Sequence, residues 1–324
     1  MRRPPTPAPA AVLAMLTVFA VLALFTSPAA ALDDPGRPFG DGFQDGPTSG
    51  VILRNSKIVV SGDGLGGKAD GYRVPRPCWY EPGDGPDKML KKQEDVREYW
   101  FHLNPTGTAQ DFDKFLKQYK DKVGEDGRWW VPAYNSADPN GLACWSGLQG
   151  AVWVPEGGTP PGGITLEELY QLARAALTVP EPKINLSPDV RSYVNLPTWV
   201  WLTGIGAPVR SVTAELPGVM SATVTARLTR LEIDPGTSGS RAEVKADCGP
   251  TGRPYVSGGT FTCGVRYLHA SVDQPRGAYT LTVTTEWTVT GEGVGFAFAP
   301  VRVTASRDVP VGEVQSIVRG GDRS

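Results

Sequence analysis

From about residue 208 the apolar positions fall on a period of two. In SATVTARLTRLEID, Ala222, Val224, Ala226 and Leu228 share one face, and then the phase slips so that Leu231 and Ile233 continue it. A slip of one residue is the mark of a β-bulge. In RAEVKADC, Ala242, Val244, Ala246 and Cys248 alternate with polar neighbours, and in AYTLTVTTEWTVT so do Tyr279, Leu281, Val283, Trp287 and Val289. FAFAPVRVTA and VPVGEVQSIV add two further runs. Alternation places one face of a strand in a core. Five or more such runs over ~110 residues, with turn residues between them, predict an all-β immunoglobulin-like sandwich over 208–318, followed by a short tail, 319–324.

Residues 76–183 carry a different period and read as a small α+β region. In TLEELYQLARAAL, Thr165 and Glu168 form a capping box, and Leu166, Leu169, Ala173, Ala176 and Leu177 make one apolar face. In TAQDFDKFLKQYKDKV, Phe112, Phe115, Leu116, Tyr119 and Val123 fall at helical spacing. KMLKKQEDVREYWFHL reads as helical with Val96, Tyr99 and Trp100 on one side, and GRWWVPAYN and GAVWVPEG read as short extended segments. The stretch 184–207 is a bridge whose prolines exclude a long helix. Residues 32–75 are rich in Gly, Asp and Pro and read as a mostly flexible leader, except that VILRNSKIVV has the look of a hairpin.

The first 31 residues change the compartment. Arg2 and Arg3 precede an apolar stretch from Ala10 to Phe25, and Ala29-Ala30-Ala31 offers a small-residue cleavage site. This is the layout of a secretory signal peptide. Its apolar stretch of about sixteen residues is short of the ~20 that a spanning helix needs, although retention as an anchor is the competing reading. Without Arg2 and Arg3, 30 basic residues face 34 acidic ones, so the net charge goes from −2 to −4. That balance points away from a nucleic-acid surface.

An exported chain can form disulfides. The four cysteines, Cys78, Cys144, Cys248 and Cys263, contain no C-x-x-C and allow three pairings. Sequence-local pairing would put one bridge in each half, with 248–263 acting as a staple. Only His102 and His269 exist, and neither lies beside a nucleophile motif. The segment GDGLGGKA, residues 62–69, nearly fits the phosphate-binding pattern G-x-x-x-x-G-K-[ST]. Gly62, Gly67 and Lys68 match, but Ala69 lacks the magnesium-holding hydroxyl, and DGYRVPRP does not supply a helix N-terminus. Glu167 and Glu168 are adjacent and Asp111 and Asp113 sit in a first helical turn; helix capping, dipole and solvent account for them. Asp63, Asp70 and the DGFQDG stretch lack the spacing of a calcium loop. No metal or cofactor is expected. Five tryptophans, Trp79, Trp129, Trp130, Trp145 and Trp153, crowd the Cys78–Cys144 region. If exposed they would stack on sugars or anchor a partner, and if buried they fill a small core.

CWYEP, ACW, VWVPEGGTPP with its following helix, PEPKINLSP, LPTWVWL, the two-cysteine loop 248–264, GAYTLTVTTEWTV and VGEVQSIV together resemble a family of secreted actinobacterial proteins. That family ends in a domain similar to PKD modules, which are immunoglobulin-like. The likeness covers 140–318 well and 76–140 loosely. Where the family has a W-D-x-G-D-G turn, this chain has LEIDPGTSG. The resemblance implies an exported protein without an established activity, some members of which carry an ATP/GTP-binding label. The reading is therefore a non-enzymatic envelope or extracellular protein, a binding or spacer module whose partner is an envelope protein or cell-wall glycan. The alternative is a carbohydrate-active protein.

Overall fold

The computed structural model describes residues 53–54, 56–293, 295–296 and 298–314. Residues 1–31, read as a signal peptide, residues 32–52 of the leader and the end of VPVGEVQSIV lie outside these. In chain order the N-terminal half holds β1 (Leu53–Arg54), β2 (Val59–Ser61), β3 (Cys78–Pro82), α1 (Pro86–Asp95), α2 (Arg97–Leu103), α3 (Ala109–Lys120), β4 (Gly127–Asn135), α4 (Gly141–Ser146), β5 (Val152–Pro155) and α5 (Leu166–Ala176). Then come β6 (Lys183–Ser187), β7 (Ser192–Tyr193), β8 (Pro197–Thr203), β9 (Val209–Leu216), β10 (Met220–Asp234), β11 (Ala242–Ala246) and β12 (Cys263–Tyr267). A 3-10 turn at Pro275–Gly277 leads to β13 (Tyr279–Gly291), β14 (Val301–Val309) and β15 (Val311–Gly312).

The period-two segments build two antiparallel sheets. One runs β14-β13-β10-β9-β2 and the other β11-β12-β8-β6. Their alternating apolar residues meet in one core, to which Val212, Val224, Leu281 and Val283 come from the first sheet and Leu186, Val200 and Val265 from the second. Tyr267 and Tyr279 stack in parallel across it at 4.8 Å. The phase slip in β10 is a bulge, the register with β13 shifting between Leu228 and Arg230. The bulge lets Leu228 and Leu231 both reach the core.

Three expectations are corrected by the pairing. VILRNSKIVV is not a hairpin, because β1 pairs with β4 and β2 with β9, in different sheets. Between them the backbone is held by the buried Glu81 carboxylate, which accepts from Ser56 Oγ at 2.5 Å and Lys57 N–H at 2.7 Å. From residue 56 the leader is consequently structured, with Ile58, Val60 and Val74 in the main core. The bridge 184–207 is itself sheet, for it supplies β8 and most of β6.

The predicted capping box of Thr165 with Glu168 forms on α5, and a second, of Thr108 with Asp111, caps α3. α5 lays Leu169, Leu172, Ala173 and Ala176 against the main core, while Leu166 at its start is exposed. The helix read over 88–103 breaks at Val96 into α1 and α2. A second, smaller core of Met89, Tyr119 and Trp129 joins α1, α3 and β4. Among the described residues no helix is long and apolar enough to cross a membrane.

Candidate functional site

All four cysteines are bridged in the sequence-local pairing. Cys78–Cys144 ties β3 to α4 across a Cα separation of 5.8 Å, and Cys248–Cys263 closes the loop between β11 and β12 at 4.7 Å. The latter loop lies over β8, where Trp199 contacts the rings of Tyr255 and Phe261.

The five candidate tryptophans divide by burial. Trp79, Trp129 and Trp130 are buried, so their faces are not open to a ligand. Trp79 Nε1 donates to Glu81 at 2.7 Å, making it part of the scaffold. Trp145 and Trp153 are half-buried. Trp145 packs on Tyr134 and donates to Pro132 O. Trp153 stands edge-on to Trp129 and takes the Lys122 ammonium 5.5 Å from its ring centre. This pair ends a row of touching rings that runs Trp100, Phe112, Phe115, Tyr119, Trp129 and Trp153, with successive centres 4.7 to 5.9 Å apart. Beside the row, Val96 at the cap of α2 and Tyr99 and Leu103 on it turn outward, 40, 45 and 61% exposed. Helical spacing puts these three on one side of the helix.

The glycine-rich segment 62–69 is not shaped for phosphate. Three of its amides are consumed within the fold. Gly64 N–H donates to Ser211 O, Gly67 N–H to Thr178 Oγ1 at 2.8 Å and Lys68 N–H to Val179 O at 2.8 Å. Gly67 is required for closeness, since a Cβ there would meet Val179 O at 2.6 Å. Lys68 pairs with Glu181 at 3.0 Å, and no helix follows over 69–77. A phosphate cradle needs free N–H groups at a helix start, and here the same residues fasten the leader to β9 and the end of α5.

His102 and His269 are exposed, on α2 and in the loop after β12. Asp111 caps α3, Asp113 pairs with Lys120, and Glu168 caps α5 while binding Arg76 at 2.7 Å. Asp63 accepts from Ser211 N–H, and Asp70 from the Arg174 guanidinium at 2.5 and 3.2 Å. DGFQDG lies outside the described residues. Among those described, no cluster of three or more His, Cys, Asp or Glu could hold a metal.

Two buried charges escaped the sequence reading. Burial pushes the Glu81 carboxyl up from its ordinary range, against the donors Ser56, Lys57 N–H and Trp79 that pull it down. Its burial was implied by the period of two, since Trp79 and Glu81 share one face of β3. Arg174 is 1% exposed inside the apolar stripe of α5. Its guanidinium lies 4.7 Å from the centre of the Tyr72 ring and donates to Ala299 O, and its Nε has no partner among the described residues.

Next to this ion pair is a surface cleft of about 150 Å³, lined by Tyr72, Glu167, Gln171, Phe296 and Phe298. Its residues come from three distant segments, which is why no local pattern announced it. Glu167 and Gln171 stand one turn apart on α5, and neither side chain hydrogen-bonds to another described residue. Phe296 is braced edge-on by Tyr170, whose hydroxyl donates to Glu292 O. Comparisons with protein-family models, with curated proteins and with solved structures return no match for this chain.

Proposed function

We propose that the chain is an exported, non-enzymatic binding module of the cell envelope or medium. The two-sheet half is an immunoglobulin-like spacer of PKD type, and the aromatic half presents the contact surface. Export is supported by the signal-peptide layout of residues 1–31 together with two cysteine bridges. The spacer is supported by two antiparallel sheets sharing one core.

The observation that carries the reading is α2. Exposed Val96, Tyr99 and Leu103 stand on an aromatic foundation, where an ordinary surface helix would place polar side chains. A partner that covered Tyr99 and Leu103 would remove apolar surface from water at about 25 cal/mol per Å².

The test is a pull-down with the mature protein as bait, against isolated envelope proteins and, separately, purified cell-wall glycan. Capture of a discrete protein supports the reading. Retention on glycan alone favours a carbohydrate-directed protein. Thiol labelling of the unfolded, unreduced protein is expected to find no free cysteine, and labelled thiols would remove the case for export.

A further inference from the structure

We propose that β11 is a docking edge for a second copy of this chain, which adds its own β11 antiparallel to the first and joins the two smaller sheets into one. The inference goes beyond the binding-module reading and is independent of what the aromatic half contacts. Among the described residues β11 ends its sheet, with β12 on one side and no strand on the other. Glu243, Val244, Lys245 and Ala246 are all exposed. The other outer strands are less open. β14 and β6 are tied together where Arg307 donates to Ile184 O, and β2 has only three residues.

The direction of the backbone groups follows from one bond. Leu268 N–H donates to Arg241 O at 2.8 Å, in register with the pairing of Ala242 with Tyr267. Antiparallel strands alternate bonded and non-bonded pairs. Residues 241, 243 and 245 therefore turn their backbone groups to β12, and 242, 244 and 246 turn theirs outward. Two of the outward groups are used locally, Ala242 N–H by Ser238 O and Ala246 O by Cys248 N–H. Left over are Ala242 O, both groups of Val244, and Ala246 N–H. Two copies of this edge, paired about Val244, satisfy all of them. The two Val244 residues exchange both bonds, and Ala246 N–H of each copy donates to Ala242 O of the other.

Charge selects the same register. With Val244 opposite Val244, Glu243 of each copy faces Lys245 of the other. A slip of two residues, the smallest that keeps the free groups facing, sets Glu243 against Glu243 or Lys245 against Lys245. Within one copy Lys245 lies opposite Gly264, where a Cβ would collide with Thr198 O, and it has no ion pair among the described residues. Glu243 is 3.6 Å from Arg266 on the β12 side. The second copy's Lys245 completes a row of alternating sign with these two. A lysine on an edge ordinarily keeps other strands away. Beside Glu243 it excludes strands without the matching acid and admits a copy of itself.

The experiment is sedimentation equilibrium of the mature protein, with hydrogen exchange read at single amides. An edge of five residues is small for an interface, so a monomer–dimer equilibrium with Kd on the order of 100 µM is expected. In dilute protein the amides of Glu243 and Lys245 are expected to be protected and those of Val244 and Ala246 to exchange freely. On concentration the latter two gain protection. Lys245→Glu and Glu243→Lys are each expected to weaken self-association at least about tenfold. Mixing the two variants is expected to restore it, because every acid then faces a base again. Val244→Pro removes the central donor from an outward-facing position and is expected to abolish the dimer with unchanged far-UV circular dichroism. Protein that stays monomeric at about 1 mM would overturn the proposal. So would a dimer in which Val244 and Ala246 exchange as freely as in the monomer, or charge variants whose mixture associates no better than each alone. None of these results bears on capture of an envelope partner, which is read at α2.

Discussion

The molecule has two cores built on different principles. The main one, from Ile58 to Val311, is filled mostly by aliphatic residues of two sheets, one face of α5 and the inner side of β3 and β4, with Trp79, Trp130 and Trp287 set among them. The smaller one has only Met89, Tyr119 and Trp129 buried, and continues as a row of rings in which buried Phe112 stands among half-buried Trp100, Phe115 and Trp153. Aliphatic interdigitation makes a core that opens all at once. Rings meeting edge to face gain about 0.5–1.5 kcal/mol per pair beyond burial, and they tolerate exposure on one side. The first arrangement suits a spacer and the second a contact surface. Trp287→Ala, at a fully buried site in β13, is expected to cost about 3–5 kcal/mol and to lower the denaturant midpoint of the whole protein. Trp129→Ala is expected to release the amides of α1 and α3 to hydrogen exchange while β10 and β13 keep their protection. Uniform loss of protection in both variants would make the two cores one cooperative unit and end the comparison.

The bridges extend the contrast. Cys78–Cys144 closes a separation of 66 residues around the aromatic half, and Cys248–Cys263 one of 15 in the smaller sheet. Loop-closure entropy gives about 4 kcal/mol for the first and about 3 for the second. Replacing each pair by alanine is expected to preserve that order in unfolding midpoints. The reverse order would mean that the 66-residue loop is already restrained in the unfolded chain.

How far the sequence spoke follows from the range of the interactions. Period two exposed β10, β13 and β14 of the larger sheet and even the bulge at Leu228, because alternation is local. The capping box at Thr165 was legible for the same reason, while the one at Thr108, equally local, was missed. What escaped depends on residues far apart in sequence. β6 and β8 hid in a proline-bearing stretch that joins the sheet only through β12. The leader's order from residue 56 arises from Glu81, 25 positions from Ser56. The cleft draws on segments around Tyr72, Glu167 and Phe296. Burial of three of the five candidate tryptophans follows from strand pairing and from the packing of β4 on α1 and α3, which a count of indoles does not reveal.

Glu81 sits at the seam between leader and scaffold, and its titration sharpens the picture of that seam. Burial raises its pKa in the folded state, so the native protein keeps the proton at pH values where the unfolded chain has released it. The resulting contribution to stability is present below the unfolded pKa and is lost as pH rises through the folded one. The unfolding midpoint is therefore expected to carry a declining component across the window above the ordinary carboxylate range. Glu81→Gln should remove that component. The slope is the readout, since the amide offers one acceptor oxygen where the carboxylate offers two. Parallel profiles for the two proteins would mean that the three donors outweigh burial and that the carboxylate is ionised throughout.

The smallest effect on stability gives the sharpest separation of the two regions. Tyr99 and Leu103 project from α2 into solvent, and α2 holds no buried residue. Substituting both by serine removes apolar surface that the fold does not use, so the denaturant midpoint is expected to move by no more than about 0.5 kcal/mol per site. A partner that buries both loses its anchors, and capture of the envelope protein is expected to fall at least about tenfold. Trp287→Ala is the mirror case, damaging the fold without touching that face. A double serine variant that unfolds more readily would show that α2 supports the aromatic row. Undiminished capture by a well-folded variant would move the contact surface elsewhere, with Tyr255 at the tip of the Cys248–Cys263 loop, 53% exposed, the next residue to replace.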